Sequence, residues 1–236
     1  MSPLDTKVEA LILCGGLGTR LGGELPGLPK ALAKVGGRVF LDILIDQLTR
    51  QGIRKIIFAI GYLGEKIISR YNSRNDGAFI FSREETPLGT GGAVQHALAL
   101  IAGDTFLVLN GDSHCQVDFA RLIGRHEHIA SDMTMVVTSP DNREDTGTIC
   151  LGPDDRILDY REKPGNAGTD SYVNAGVYVM GKRVFASGSF SPPFSLEYDL
   201  FPPLVRRGNC YGFPVNSELV DIGTPQRLRE AVKKLS

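Results

Sequence analysis

Short unbroken apolar runs alternate with apolar residues at helical spacing through the first half of the chain. Residues 8–14 form one such run, closed by a glycine-rich turn, the pattern of a strand buried on both faces of a parallel sheet. Phe40, Leu41, Leu44 and Leu48 follow at helical spacing, and Gly52 closes the helix they predict. Residues 55–60 and 78–81 read as further strands, separated by a helix near 65–71. Residues 93–101 read as a helix with Val94, Ala97, Leu98 and Ile101 on one face. Residues 105–109 are another buried strand, ending in Asn110-Gly111-Asp112. This alternation predicts a largely parallel sheet with right-handed crossovers. Ligands in such sheets lie at the carboxyl ends of the strands, where the first glycine turn and Asp112 would both sit.

The second half has a different rhythm. Residues 133–138, 148–151, 156–160 and 172–180 read as strands with few helices between them, a β-rich lobe covering one side of the site. A short helix is expected over 196–205, broken by Pro202-Pro203. The last helix has Thr224 as its N-cap and Pro225 at its first position, with Leu228, Val232 and Leu235 on one face. The expected fold is therefore α/β, with a mixed, mainly parallel sheet and a smaller β-rich lobe. No internal repeat or linker divides it, so residues 1–236 read as one domain. It falls into two parts, about 8–130 and about 131–236.

Composition narrows the function classes. With 236 residues and a net charge of −1, nothing marks the chain as a general binder of nucleic acid or membrane surfaces. The apolar run at 10–14 is too brief for a signal or anchor, which predicts a cytoplasmic protein. Cys14, Cys115, Cys150 and Cys210 lack the paired spacing of a zinc site and are expected to be reduced, structural thiols. His126 and His128, two apart on an expected surface helix, face different ways, which is poor metal-ligand geometry. His114, close behind Asp112, is expected to play a secondary or solvated part.

The strongest chemical signal is Leu13-Cys14-Gly15-Gly16-Leu17-Gly18-Thr19-Arg20-Leu21, followed by Pro29-Lys30. Glycines after a strand let the backbone approach a triphosphate and aim N–H groups at it. Arg20 and Lys30 add fixed positive charge where phosphates and a leaving pyrophosphate would lie. The loop lacks the lysine and hydroxyl of a P-loop, and Leu21 replaces the last glycine of a dinucleotide fingerprint, which disfavours a nicotinamide-dependent oxidoreductase.

These residues resemble the signature of the sugar-1-phosphate nucleotidyltransferases, and further motifs follow in order. Pro87-Leu88-Gly89-Thr90-Gly91-Gly92-Ala93 resembles the family's base-binding loop, and Leu109-Asn110-Gly111-Asp112 its metal-binding strand end. Glu162-Lys163-Pro164, Asn174-Ala175-Gly176 and Val220-Asp221-Ile222-Gly223-Thr224-Pro225 resemble its acceptor and second-metal motifs. The wording of several segments, Ser195-Leu196-Glu197-Tyr198-Asp199-Leu200-Phe201-Pro202 among them, is most similar to D-glycero-D-manno-heptose 1-phosphate guanylyltransferases, then to mannose-1-phosphate guanylyltransferases.

The resemblance implies a Rossmann-like three-layer α/β/α fold and a Mg²⁺-dependent transfer of a nucleotidyl group to a sugar 1-phosphate. It implies catalytic roles for Arg20, Lys30 and Asp112, and Mg²⁺ held by Asp112 and Asp221. Leu13, Gly15, Gly16, Gly18, Thr19, Glu84, Gly89 and Thr90 would bind nucleotide. Gly147, Glu162, Lys163 and Asn174 would bind the sugar phosphate, so that the part over about 8–130 is the nucleotide-binding half and that over about 131–236 the sugar-phosphate-binding half. Taken singly, Asp112 and Asp221 are equally turn residues; taken together they suit a hard cation. The partners implied are a nucleoside triphosphate and a sugar 1-phosphate, with no nucleic acid or membrane, and a homo-oligomer is compatible.

The base argument rests on one carboxylate. Relatives that use uridine or thymidine nucleotides often carry glutamine five residues before the loop's central glycine, and counting back from Gly89 reaches Glu84. A carboxylate only accepts hydrogen bonds, and guanine offers two adjacent donors, so GTP is favoured. Alternative readings are a uridylyl- or cytidylyltransferase and, in another class, a sugar-nucleotide-sensing subunit without turnover.

Overall fold

The computed structural model describes residues 8–16, 18, 21, 25–140, 148–161, 171–186 and 190–235. Among them the main sheet has nine strands, and β2 (Lys34–Val35) pairs with β3 (Arg38–Val39) outside it. β1 (Glu9–Leu13) lies at its centre, parallel to β4 (Lys55–Ile60) on one side and to β6 (Thr105–Asn110) on the other. β5 (Ala78–Arg83) extends the sheet beyond β4, also in parallel. Beyond β6 comes β11 (Ser171–Gly181), antiparallel to β6 and to β8 (Met133–Thr138). β12 (Cys210–Val215) pairs in parallel with β8. The early part of β11 carries β9 (Thr148–Leu151) and β10 (Ile157–Arg161), the β-rich extension expected in the second half.

Side-chain alternation divides the core into two layers, one on each face. Ala10, Ile12, Ile56, Phe58, Leu107, Leu109, Val177 and Val179 face one layer. It is closed by α1 (Phe40–Arg50), α2 (Gly64–Tyr71), α4 (Phe119–His128) and α7 (Pro225–Lys234). Leu11, Ile57, Phe106, Val108, Met135 and Tyr178 face the other. That layer is covered by α3 (Gly89–Ala97), α5 (Arg183–Ala186) and α6 (Phe201–Arg206). Strands buried on both faces explain why they read as continuous apolar runs.

Glu9, the one acid in the first strand, is buried and accepts from the Ala102 and Gly103 N–H groups at 2.5 and 3.0 Å, while Lys55 pairs with it. Burial works to raise its pKa, but these partners outweigh it and hold the carboxyl below its ordinary range.

Local chemistry corrects several expectations. α3 begins at Gly89, inside the expected base loop, and ends at Ala97, with one 3-10 turn over Leu98–Leu100 completing the segment. The 196–205 helix is a π-turn (Leu196–Leu200) leading into α6. Pro202 and Pro203 do not break it: they sit in the first turn of α6, where a missing N–H costs nothing. β12 escaped the sequence pattern because Gly212 and Pro214 interrupt it; as an edge strand it tolerates both. His126 is not a surface residue: it is buried, with Nδ1 3.0 Å from Thr134 Oγ1. The caps of α4 and α7 form, with Asp118 accepting from Arg121 N–H at 3.0 Å and Thr224 from Arg227 N–H at 3.3 Å. All four cysteines are free.

Candidate active site

The site forms where β1, β4, β5 and β6 end. Leu13 closes β1, and its carbonyl accepts from Gly111 N–H at 3.0 Å, which ties the glycine turn to the end of β6. Cys14 N–H donates to the Ala59 carbonyl at 2.8 Å, so the same turn is also tied to β4. The glycine loop therefore starts from a point fixed on both neighbours.

Its first glycine faces Glu84. A methyl group on Gly15 would lie 2.4 Å from Glu84 Oε1, and one on Gly61, after β4, 2.5 Å from the same oxygen. A side chain at either position would push the carboxylate out of this place. Glu84 N–H continues the β-ladder to the Ile60 carbonyl at 2.9 Å, and Glu84 Oε2 accepts from Leu88 N–H at 3.1 Å. Burial raises the Glu84 pKa, opposed by the Leu88 N–H and by His96. Glu85, by contrast, is exposed.

Farther along, Gly16 is open and Gly18 has φ +61°, with its missing Cβ pointing 3.6 Å from Lys30 Cβ. The loop thus leads from the Glu84 carboxylate at Gly15 to the stem of Lys30 at Gly18. Lys30, in a 3-10 turn (Lys30–Leu32), donates to Asp112 Oδ2 at 2.5 Å. Asp112 precedes β7 (Ser113–His114), which pairs with β13 (Val220–Asp221). Ser113 stands opposite Asp221, and Ile222 N–H donates to the Asp112 carbonyl at 2.9 Å. This two-stranded ribbon brings together aspartates distant in sequence.

Asp221 Oδ1 accepts from Gly223 N–H at 2.8 Å, with Arg227 Nη1 3.5 Å away. A methyl group on Gly223 would lie 2.9 Å from Asp221 Oδ1 and 3.6 Å from both Arg227 Nη1 and Lys30 Nζ. Lys30, Asp112, Asp221 and Arg227 therefore form one cluster. Among the described residues no group of three or more His, Cys, Asp or Glu side chains could hold a metal ion. The oxygen donors of Asp112 and Asp221 would suit a hard cation such as Mg²⁺, which takes few protein ligands. His114 is half-buried on the same ribbon, and burial lowers its pKa.

Two expected ligands have other partners. Thr90 Oγ1 donates to Glu197 Oε2 at 2.7 Å and accepts from Leu196 N–H at 2.8 Å. Asn174 Oδ1 accepts from Gly176 N–H, and its amide donates to the Tyr178 hydroxyl, both at 2.8 Å. Those bonds shape a β-bulge in β11 in which Gly176 takes φ +74°. Gly89, at φ +73°, opens α3 beneath the Phe194 carbonyl. Thr19, Arg20, Gly147, Glu162 and Lys163 lie outside the described residues. Gly61, Arg227 and Glu197 join the site without having been assigned there. The sequence named the Ser195–Pro202 wording, but gave it no partner.

The site thus offers an acceptor-only carboxylate at one end of a glycine loop and a cation–carboxylate cluster at the other. Residues 9–236 match the nucleotidyl transferase family. The chain is 34% identical over 229 residues to a D-glycero-alpha-D-manno-heptose 1-phosphate guanylyltransferase of Aneurinibacillus thermoaerophilus, covering 97% of this chain and 98% of that one. It is 32% identical to a mannose-1-phosphate guanyltransferase of Emericella nidulans, covering 93% of this chain but 62% of the longer relative. The crystal structure of HddC from Yersinia pseudotuberculosis superposes with a TM-score of 0.83 at 28% identity, over 97% of this chain and 100% of that one; HddC has also been solved with GMP-PN. Sequence, fold and site geometry converge, and this chain belongs to the nucleotidyl transferase family.

Proposed function

We propose that the protein transfers GMP from GTP to a sugar 1-phosphate, D-glycero-D-manno-heptose 1-phosphate foremost, and releases pyrophosphate. The observation that carries this reading is the Glu84 carboxylate held against Gly15 and Gly61 at the start of the phosphate loop. An ionised carboxylate accepts from guanine N1–H and N2–H₂ and cannot offer the donor that uracil O4 or O2 requires. The names of the similar proteins point the same way, heptose in one relative and mannose in another. Mannose 1-phosphate is the second acceptor to test.

In the reaction, an oxygen of the sugar phosphate attacks the α-phosphorus of GTP in line. The bond from the α-phosphorus to the bridging oxygen breaks, and pyrophosphate leaves. Two polyanions must be brought together, so positioning and charge neutralisation do most of the work. Lys30, and Arg20 by family resemblance, would neutralise the phosphates. Asp112 and Asp221 would hold Mg²⁺, which when bound adds positive charge between the phosphates. On the acceptor side, the resemblance implies sugar-phosphate roles for Gly147, Glu162, Lys163 and Asn174.

Pyrophosphate release across a panel of nucleotides and sugar 1-phosphates tests the reading. GTP with heptose 1-phosphate should be the most efficient pair, and chelation should abolish turnover. Nucleotide binding without turnover across the whole panel would favour the sensing subunit.

A further inference from the structure

The segment after Phe190 makes a set of contacts that the nucleotide and acceptor roles leave unused. Phe194 N–H donates to the Leu88 carbonyl at 3.0 Å, and the Phe194 carbonyl accepts from Gly91 N–H at 3.0 Å and Gly92 N–H at 3.3 Å. The Phe194 ring fills the space where a Gly91 side chain would be, 2.2 Å from that missing Cβ. Beside this seam, Glu197 Oε2 accepts from Thr90 Oγ1 and from Ser195 Oγ, both at 2.7 Å. Ser195 Oγ in turn accepts from Glu197 N–H at 3.1 Å, so the π-turn is capped by the group that anchors Glu197.

These contacts lead to Glu84. The Leu88 carbonyl is held by Phe194, and the Leu88 N–H holds Glu84 Oε2 at 3.1 Å. A half-buried carboxylate just past a strand end is aimed by the groups that bond it, and charge-assisted bonds are the strongest available. We propose that Glu197 is a positioning residue for nucleotide binding: through Thr90 it clamps the loop at 87–92 so that Leu88 presents Glu84 in one orientation. Glu197 touches neither base nor phosphate in this scheme. It holds the loop that does, and the proposal rests on the reading of that loop as the base pocket.

The scheme separates affinity from chemistry. Releasing the clamp loosens nucleotide in ground state and transition state alike, which raises KM and leaves kcat in place. Glu197→Ala removes a charge-assisted bond and should weaken GTP binding roughly ten- to a hundredfold, whereas Glu197→Gln, whose neutral amide oxygen still accepts from Thr90, should weaken it less.

The test uses the full chain with Glu197→Gln and Glu197→Ala, and with Asp199→Asn as control. Asp199 Oδ2 accepts from Ser195 N–H at 2.6 Å, on the same turn but away from Thr90. Calorimetric Kd for GTP without acceptor, kcat and KM for both substrates, and Tm are read for each. The isosteric glutamine keeps the test alive where alanine unfolds the turn. Expected are a weaker GTP Kd and a higher GTP KM in both Glu197 variants, with kcat and the sugar-phosphate KM near wild type and Asp199→Asn unchanged. In a cycle with Thr90→Ala, the fold-losses should not multiply, because both changes open one contact.

Unchanged GTP affinity in Glu197→Gln, or equal losses in Asp199→Asn, overturns the clamp. So does a fall in kcat at constant KM, or losses that multiply in the cycle. Failure of the base assignment reads differently: Glu84→Gln then leaves the GTP:UTP ratio unchanged while Glu197→Gln still weakens both nucleotides.

Discussion

At the residue scale the site is a set of charges placed where nothing neutral would serve. Lys30 and Asp112 hold one another at 2.5 Å, so each keeps the other in place before substrate arrives. On the proposed reading, Lys30→Ala removes a fixed cation from the transferring phosphates. It should lower kcat by roughly a hundred- to a thousandfold, by analogy with loss of one charge-stabilising donor. Steady-state rates with both substrates saturating check this, and a rate within threefold of wild type, about 0.6 kcal/mol, would remove Lys30 from the chemistry. Asp112, Asp221 and Lys30 were legible because their motifs stood in order along the chain. Arg227 and Glu197 were not, because their roles depend on which distant residue each one meets. A glutamate in a turn has no signal until Thr90 is known to lie beside it.

At the scale of elements, two contacts make opposite demands on tolerance. The seam between α3 and the Phe194 segment has no room for a methyl group at Gly91. Gly91→Ala should cost about 1–3 kcal/mol by overpacking and weaken GTP binding at the same time. Denaturant unfolding and the GTP KM check it; an unchanged protein would mean that Phe194 swings aside freely.

The other contact is His126, which joins α4 to β8. Burial, helped by Arg183 and opposed by Asp132, lowers its pKa to about 4. An unfolded histidine titrates near 6.5, so between those values the unfolded chain binds more protons than the folded one. Stability should therefore fall as pH drops from about 6.5 towards 4, by up to about 3 kcal/mol. The loss should be muted in His126→Gln, which cannot titrate. Parallel pH profiles for the two proteins would assign the acid loss to other groups. The sequence put this histidine on a surface helix; its partner Thr134 lies on a strand, where helical spacing carries no information.

For the molecule as a whole, the alternating first half read correctly because a doubly buried parallel sheet writes itself as apolar runs. The insertion of antiparallel β11 beside β6 did not, since strand order is a matter of which edges meet. That insertion and the β7–β13 ribbon bring the second half of the chain to the end of the first, with Asp221 opposite Ser113. No helix among the described residues is long and apolar enough to cross a membrane. On the proposed reading, this chain transfers a guanylyl group because Glu84 accepts from guanine. The most direct measurement is the ratio of kcat/KM for GTP to that for UTP, in the wild type, in Glu84→Gln, and in Glu85→Gln as control. The wild type should prefer GTP. Glu84→Gln should lose roughly ten- to a hundred-and-fifty-fold with GTP and little with UTP, because one charge-assisted bond is replaced by opposed donors. Glu85→Gln should match the wild type. A wild type that prefers UTP, or a ratio that Glu84→Gln leaves unchanged, would contradict the account.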